Sequence, residues 1–278
     1  MAERYLIVNG DDFGLSPGVS RGILEAHRSG ILTSTSFMVN FPWAGEMAAM
    51  LQDAPDLGVG IHLNLTTGPP VLPPAEVPTL VNSEGRFSRA WMHLRFRVRP
   101  EEARREWCAQ VERGIRLLGR LPTHLDTHRY LQAHPVFTEI LLWVAKHYQI
   151  PAVRCLYPDT PAPGSLGRWN LAEALVERYL RRSAEMIAQS GVRCPDAARA
   201  GDFDLQTLLR RLAQLPPGVT ELICHPGYVD EDLASLSSLA AHREVELAAL
   251  TAPAARLVIQ EQGIRLVNFR HLAPDRWE

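Results

Sequence analysis

The sequence predicts an α/β fold closed as a single parallel barrel. Short apolar, β-branched runs alternate with longer segments of helical period, the pattern of parallel strands joined by crossover helices. Eight such runs occur, the number that a barrel of this class uses. Polar and ionisable residues gather where several of the runs end, which in a parallel barrel is one rim.

The strands are expected over residues 5–9, 32–39, 57–65, 122–127, 151–155, 197–200, 219–225 and 264–269. Helices are expected over 16–29, 43–53, 100–119, 134–148, 170–190, 204–214 and 238–261. Ser16-Pro17 has the form of an N-cap followed by proline in the first helical position, and Gly30 stands where that helix should stop. Two stretches break the rhythm. Residues 66–99 carry Pro69, Pro70, Pro73, Pro74 and Pro78, and residues 156–169 carry Pro158, Pro161 and Pro163. Proline at that density prevents regular helix or central strand, so both are expected as loop insertions of the kind that cover or bind a ligand. The alternation resumes after each, so residues 1–278 are expected to form one domain.

Composition narrows the function. Apolar residues make up 46% and charged residues 22%, as in an ordinary globular protein. Lys plus Arg number 29 against 31 Asp plus Glu, so no summed field draws a polyanion and nucleic acid is not expected as a partner. The basic clusters within residues 95–105 and 178–182 read as solvated helix faces. Cys108, Cys155, Cys194 and Cys224 are widely spaced and form no CxxC pair, which fits a reducing compartment. The run Tyr5-Leu6-Ile7-Val8 is too short for a signal segment or a membrane span. A cytoplasmic protein is expected.

The chemistry lies at the rim. The first run ends in Asp11-Asp12, the third reaches His62, the fourth leads to Asp126 and His128, and the seventh ends in His225. Two imidazoles and a carboxylate make an open site for a divalent ion, with positions left for water and substrate. Asp12, His62 and His128 are therefore expected as metal ligands, against the plainer reading of strand-end capping. Side chains alternate along a strand, so Asp11 and Asp12 cannot share one face of a regular one. At a strand end, however, one can bind the ion while the other reaches the attacking water.

These segments resemble the YdjC-like, or chitooligosaccharide deacetylase-type, family. The resembling stretches are Leu6-Ile7-Val8-Asn9-Gly10-Asp11-Asp12-Phe13-Gly14-Leu15-Ser16, Gly30-Ile31-Leu32-Thr33-Ser34-Thr35-Ser36, Gly58-Val59-Gly60-Ile61-His62-Leu63-Asn64-Leu65-Thr66, Thr123-His124-Leu125-Asp126-Thr127-His128 and Glu221-Leu222-Ile223-Cys224-His225-Pro226-Gly227. Arg243-Glu244-Val245-Glu246-Leu247 also looks like the family's pattern. The resemblance implies a deacetylase acting on an N-acetylated sugar, a distorted (β/α) barrel of TIM-like type, one divalent ion taken as magnesium, and a homodimer. By position it implies Asp12, His62 and His128 as metal ligands, Asp11 as general base and His225 as a histidine facing the same site. His225 is expected as general acid, giving a proton to the leaving nitrogen. Zinc, cobalt, nickel and manganese also fit two nitrogen ligands.

The chain departs from the family after His128, where Arg129, Tyr130 and Gln132 stand in place of frequent histidines. Candidate substrate contacts are Asn64, Asp126, Arg129, Tyr130, Trp91 and Trp169, the two tryptophans because they lie near the irregular stretches. Asp126 has two further readings, orienting a ligating imidazole or bonding backbone. His134, opening a helix before Pro135, reads as a capping or surface residue. Two other functions stay open: deacetylation of a lipid-linked amino sugar, as in the hopanoid-associated branch of the family, and a non-catalytic metal- and sugar-binding barrel. Phosphoester hydrolysis is disfavoured, since no Gly-rich phosphate cradle appears.

Overall fold

A computed structural model of the chain describes residues 2–88, 98–157, 172–236, 240–273 and 275. Among them, β1 (Arg4–Phe13), β2 (Ser34–Phe37), β3 (Gly58–Leu63), β4 (Leu125–Thr127), β5 (Ala197–Arg199), β6 (Gly218–Cys224) and β7 (Ile264–Val267) form one sheet. All pairings are parallel, in the order β4-β3-β2-β1-β6-β5. β7 pairs residues 4–7 of β1, and β2 pairs residues 9–13. The central β1 is buried from Leu6 to Phe13, which is why its first half reads as an unbroken apolar run rather than an alternating one.

The expected strand over 151–155 is reduced to two isolated parallel bridges, Leu125↔Val153 and Ala152↔Arg193. Pro151 has no N–H to extend a ladder, and the segment carries the buried Arg154 to the interior. These bridges still continue the sheet past β4 towards the chain that enters β5. The sheet thus curls into a distorted (β/α) barrel, as expected.

Helices surround it: α1 (Pro17–Ser29), α2 (Ala44–Met50), α3 (Pro100–Leu118), α4 (Pro135–His147), α5 (Ala172–Ser190), α6 (Leu205–Ala213), α7 (Glu231–Leu236), α8 (Ala240–Thr251) and α9 (Pro253–Glu261). Ser16 caps α1 by accepting from Val19 N at 3.2 Å, and His134 caps α4 by accepting from Val136 N at 3.3 Å. The single helix expected over 238–261 is two, because Pro253 cannot continue the first and opens the second.

The proline-rich insertion is held in place by α3. Glu106 accepts from Val71 N and Leu72 N at 2.9 and 3.1 Å, and Glu102 accepts from Thr79 N at 2.7 Å. Gln110 exchanges both amide bonds with the backbone of Asn64. These three side chains are buried, so the polar face of α3 supplies acceptors and donors to a loop whose described residues form little more than a 3-10 turn at Pro74–Glu76 and a bridge between Val81 and Phe87. No helix among the described residues is long and apolar enough to cross a membrane.

Candidate metal centre and active site

The end of β1 solves the problem of adjacent aspartates. The β1–β2 register shifts between Gly10 and Phe13, and Asp12 adopts a left-handed backbone with φ 73°. Strand alternation fails there. Both carboxylates then reach one imidazole: His62 Nε2 lies 3.4 Å from Asp12 Oδ1 and 3.9 Å from Asp11 Oδ2. A tight turn follows, with Leu15 N bonded to Asp12 O at 2.9 Å. Gly14, at φ 88°, fits this turn because any Cβ would stand 2.7 Å from Met38 O and from the Phe37 ring.

Each expected imidazole ligand is fixed from behind. His62 Nδ1 donates to Asp126 Oδ1 at 2.8 Å, and His128 Nδ1 pairs with Thr66 Oγ1. Thr66 Oγ1 gives its own proton to Asn64 Oδ1 at 3.1 Å, which leaves it to accept from His128. With Nδ1 committed in each ring, both Nε2 atoms turn to Asp12 Oδ1, at 3.4 Å for His62 and 3.8 Å for His128. Asp12 Oδ1 is buried with no hydrogen-bond partner, whereas Oδ2 is held by Arg243 Nη2 at 2.6 Å. An orphaned carboxylate oxygen facing two imidazole nitrogens fits a shared divalent cation, since one ion about 2 Å from each donor spans such separations.

Charge points the same way. Burial alone would pull His62 down, but Asp126, Asp11 and Asp12 outweigh it and push the imidazole up to about 10. Carboxylates that draw a proton this strongly would draw a cation equally. Burial pulls His128 down to about 3, so its ring is neutral and ready to ligate. A second grouping, Asp11, His62 and Asp126, also brings donor atoms within 4.8 Å of one another and could hold a metal. Its carboxylates are already engaged, however. Asp126 Oδ2 accepts from Ser36 Oγ and Arg154 Nη1, each at 2.8 Å, and Asp11 is gripped at both oxygens by Arg154 at 2.6 and 2.8 Å.

Below the mouth lies a charged floor. Arg154, fully buried, also meets Glu221 Oε1 at 2.7 Å, so one guanidinium ties β1, β4 and β6 together. Burial raises the Glu221 carboxyl to about 7 despite Arg154. At the end of β6, His225 places Nε2 4.0 Å from Asp11 Oδ2, and burial lowers its pKa. Asp11 Oδ2 therefore faces both His62 and His225.

Asp11, Asp12, His62, His128 and His225 thus converge on one mouth. Asn64 is buried, with its amide spent on Asn40 and on residues 66 and 67, so it shapes the loop that offers Thr66 to His128. Asp126 is fully buried behind His62, the orienting position that its sequence context allowed. Arg129 and Tyr130 both take left-handed backbone, φ 56° and 54°; Arg129 is exposed, and the Tyr130 hydroxyl is buried without a hydrogen-bond partner. Trp91 and Trp169 lie outside the described residues. Sequence reasoning missed Arg154 altogether, and the spacing of Arg243 and Glu246, three apart on one helix, suggests by itself no more than a local ion pair. Each instead reaches a different strand end, Asp12 for Arg243 and the His225 backbone for Glu246.

Comparisons with known proteins identify the family. A family model described as YdjC-like protein matches residues 5–261. The chain is 36% identical over 268 residues to a carbohydrate deacetylase of Geobacillus stearothermophilus, covering 96% of this chain and 97% of that one. It is 32% identical over 278 residues to a chitooligosaccharide deacetylase of Serratia marcescens, covering 97% and 100%. The crystal structure of a proposed cellobiose-phosphate cleavage protein from Enterococcus faecalis superposes with a TM-score of 0.82 at 31% identity, over 98% of this chain and 100% of that one. With a family model covering most of its length and relatives above 30% identity along nearly all of it, the chain belongs to the YdjC-like family.

Proposed function

We propose that this chain is a metal-dependent hydrolase that removes the acetyl group from an N-acetylated sugar. The names of its relatives support the reaction. The observation that carries the reading is the unpaired Asp12 Oδ1 facing His62 Nε2 and His128 Nε2, beside the Asp11 carboxylate and the His225 imidazole, which lie 4.0 Å from each other.

Asp12, His62 and His128 would hold the ion, magnesium by family or an ion such as zinc or cobalt that suits imidazole. When bound, the ion supplies Lewis acidity to water and to the amide carbonyl. Asp11 takes the proton from the attacking water at its Oδ2 atom. Arg154 keeps that carboxylate from turning, through its paired bonds to both oxygens. His225 gives a proton to the leaving nitrogen, and the lowered pKa makes its protonated form a stronger acid. A protein that only bound metal and sugar would need neither Asp11 nor His225 beside the ligands. The four cysteines are all free, which supports a reducing, cytoplasmic setting.

Acetate release by the metal-loaded protein, measured on N-acetylated mono- and oligosaccharides and on a lipid-linked N-acetylated amino sugar, tests the reading. Release from the soluble sugars is expected. Release from the lipid-linked substrate alone would move the assignment to that class, and release from none would refute it.

A further inference from the structure

Helix α8 touches two strand ends with side chains one turn apart. Arg243 Nη2 donates to Asp12 Oδ2 at 2.6 Å, at the end of β1. Glu246 Oε2 accepts from His225 N at 2.6 Å, beyond β6. The carbonyl of Arg243 also accepts from Gly227 N at 3.3 Å, so α8 is tied to the chain that follows His225 by backbone as well. Residues three apart leave a helix on the same face, and here they diverge to different targets. Both side chains are buried, at 0% and 1% exposure, too deep to be a solvated ion pair.

Asp12 needs such a hold. Its left-handed backbone is one that a non-glycine residue keeps only when its surroundings impose it. Arg243 Nε and Nη1 have no hydrogen-bond partner, so the hydrogen bonds of this buried guanidinium go to Asp12. With Oδ2 taken by Arg243, the carboxylate can present only Oδ1 to His62 and His128. At β6, the His225 N–H would be left without its acceptor if Glu246 were removed, and the turn that aims the ring towards Asp11 would be free to move.

We propose that Arg243 and Glu246 are positioning residues with separable duties: Arg243 aims Asp12 at the ion, and Glu246 anchors His225 opposite Asp11. The second duty rests on the deacetylase reading; the first does not. The metal-stripped full chain and its variants are titrated with Co2+, following the visible absorption of the bound ion, and turnover is then measured on an N-acetylated oligosaccharide. Arg243→Ala should weaken Co2+ binding at least tenfold, with recovery on adding millimolar guanidinium ion. If the alanine variant fails to fold, Arg243→Met, similar in bulk and uncharged, should show the same loss. Glu246→Ala should keep the cobalt affinity and spectrum while kcat falls at least tenfold at nearly constant KM, and Glu246→Gln, whose amide oxygen can still accept from His225 N, should restore it. Unchanged cobalt affinity in the Arg243 variants, or unchanged kcat in Glu246→Ala, would overturn the corresponding duty. If the wild type releases no acetate from any substrate, the deacetylase reading fails, and the cobalt titration still decides the role of Arg243.

Discussion

Asp126 stands directly behind His62: its Oδ1 accepts from His62 Nδ1 at 2.8 Å, while Ser36 and Arg154 occupy its Oδ2. The carboxylate thus fixes the ring's orientation and tautomer without facing the ion position. Losing such a partner typically weakens metal affinity by about 10- to 100-fold. Asp126→Asn should show that loss in calorimetric titration with Zn2+. Wild-type affinity would remove Asp126 from the account.

His225 differs from the ligands in what its removal should change. Its Nε2 faces Asp11, 4.0 Å from Oδ2, and not the Asp12 oxygen that the other imidazoles share. His225→Ala is expected to retain full metal content by elemental analysis while kcat drops by about 10² to 10⁴, the usual worth of a positioned acid. A variant that lost its metal instead would make His225 a ligand.

Gly60 and His124 share one small volume in the barrel wall. A Cβ at Gly60 would stand 2.4 to 2.5 Å from the His124 ring, which is itself stacked on Phe269 at 3.7 Å and cannot retreat. Burial holds His124 neutral, with its pKa down at about 3, and Ser36 and Thr123 bond its two nitrogens. Gly60→Ala should therefore destabilise the fold by roughly 1–3 kcal/mol, the ordinary cost of overpacking, or more. Denaturant unfolding measures this, and a neutral result would show that the ring has room to move.

Glu246 gives a pH signature of its own. Burial raises its carboxyl to about 8, although the His225 N–H bond pulls the other way. An acid with a raised folded-state pKa stabilises fully below its unfolded value near 4.5 and loses that contribution as pH rises through about 8. Glutamine carries no such proton. The melting temperature of Glu246→Gln should accordingly gain on that of the wild type by several degrees between pH 5 and pH 9. Parallel curves over that range would mean that burial does not raise this group.

The barrel and the convergence of Asp12, His62, His128 and His225 were legible because parallel strands place their ends on one rim, whatever the loops do. Pairing partners of buried charges were not. Arg154 lies in a segment that makes only isolated bridges, and its targets Asp11, Asp126 and Glu221 are far away in sequence. Arg243 and Glu246 sit three apart on a helix, which invites a local pairing, and only packing shows that they part company. The Asp11-Asp12 geometry needed a register shift and a left-handed residue, and neither is signalled by a non-glycine sequence. Glu102 and Glu106 likewise look like a solvated helix face until the backbone of the proline-rich loop is placed against them.

Crystals soaked in Zn2+ and measured above the zinc absorption edge give the most direct test of the central claim. The account predicts one strong anomalous peak within bonding distance of Asp12 Oδ1, His62 Nε2 and His128 Nε2 together. A peak held by Asp11 and Asp126 instead, or none near His62 at full soak, would contradict it.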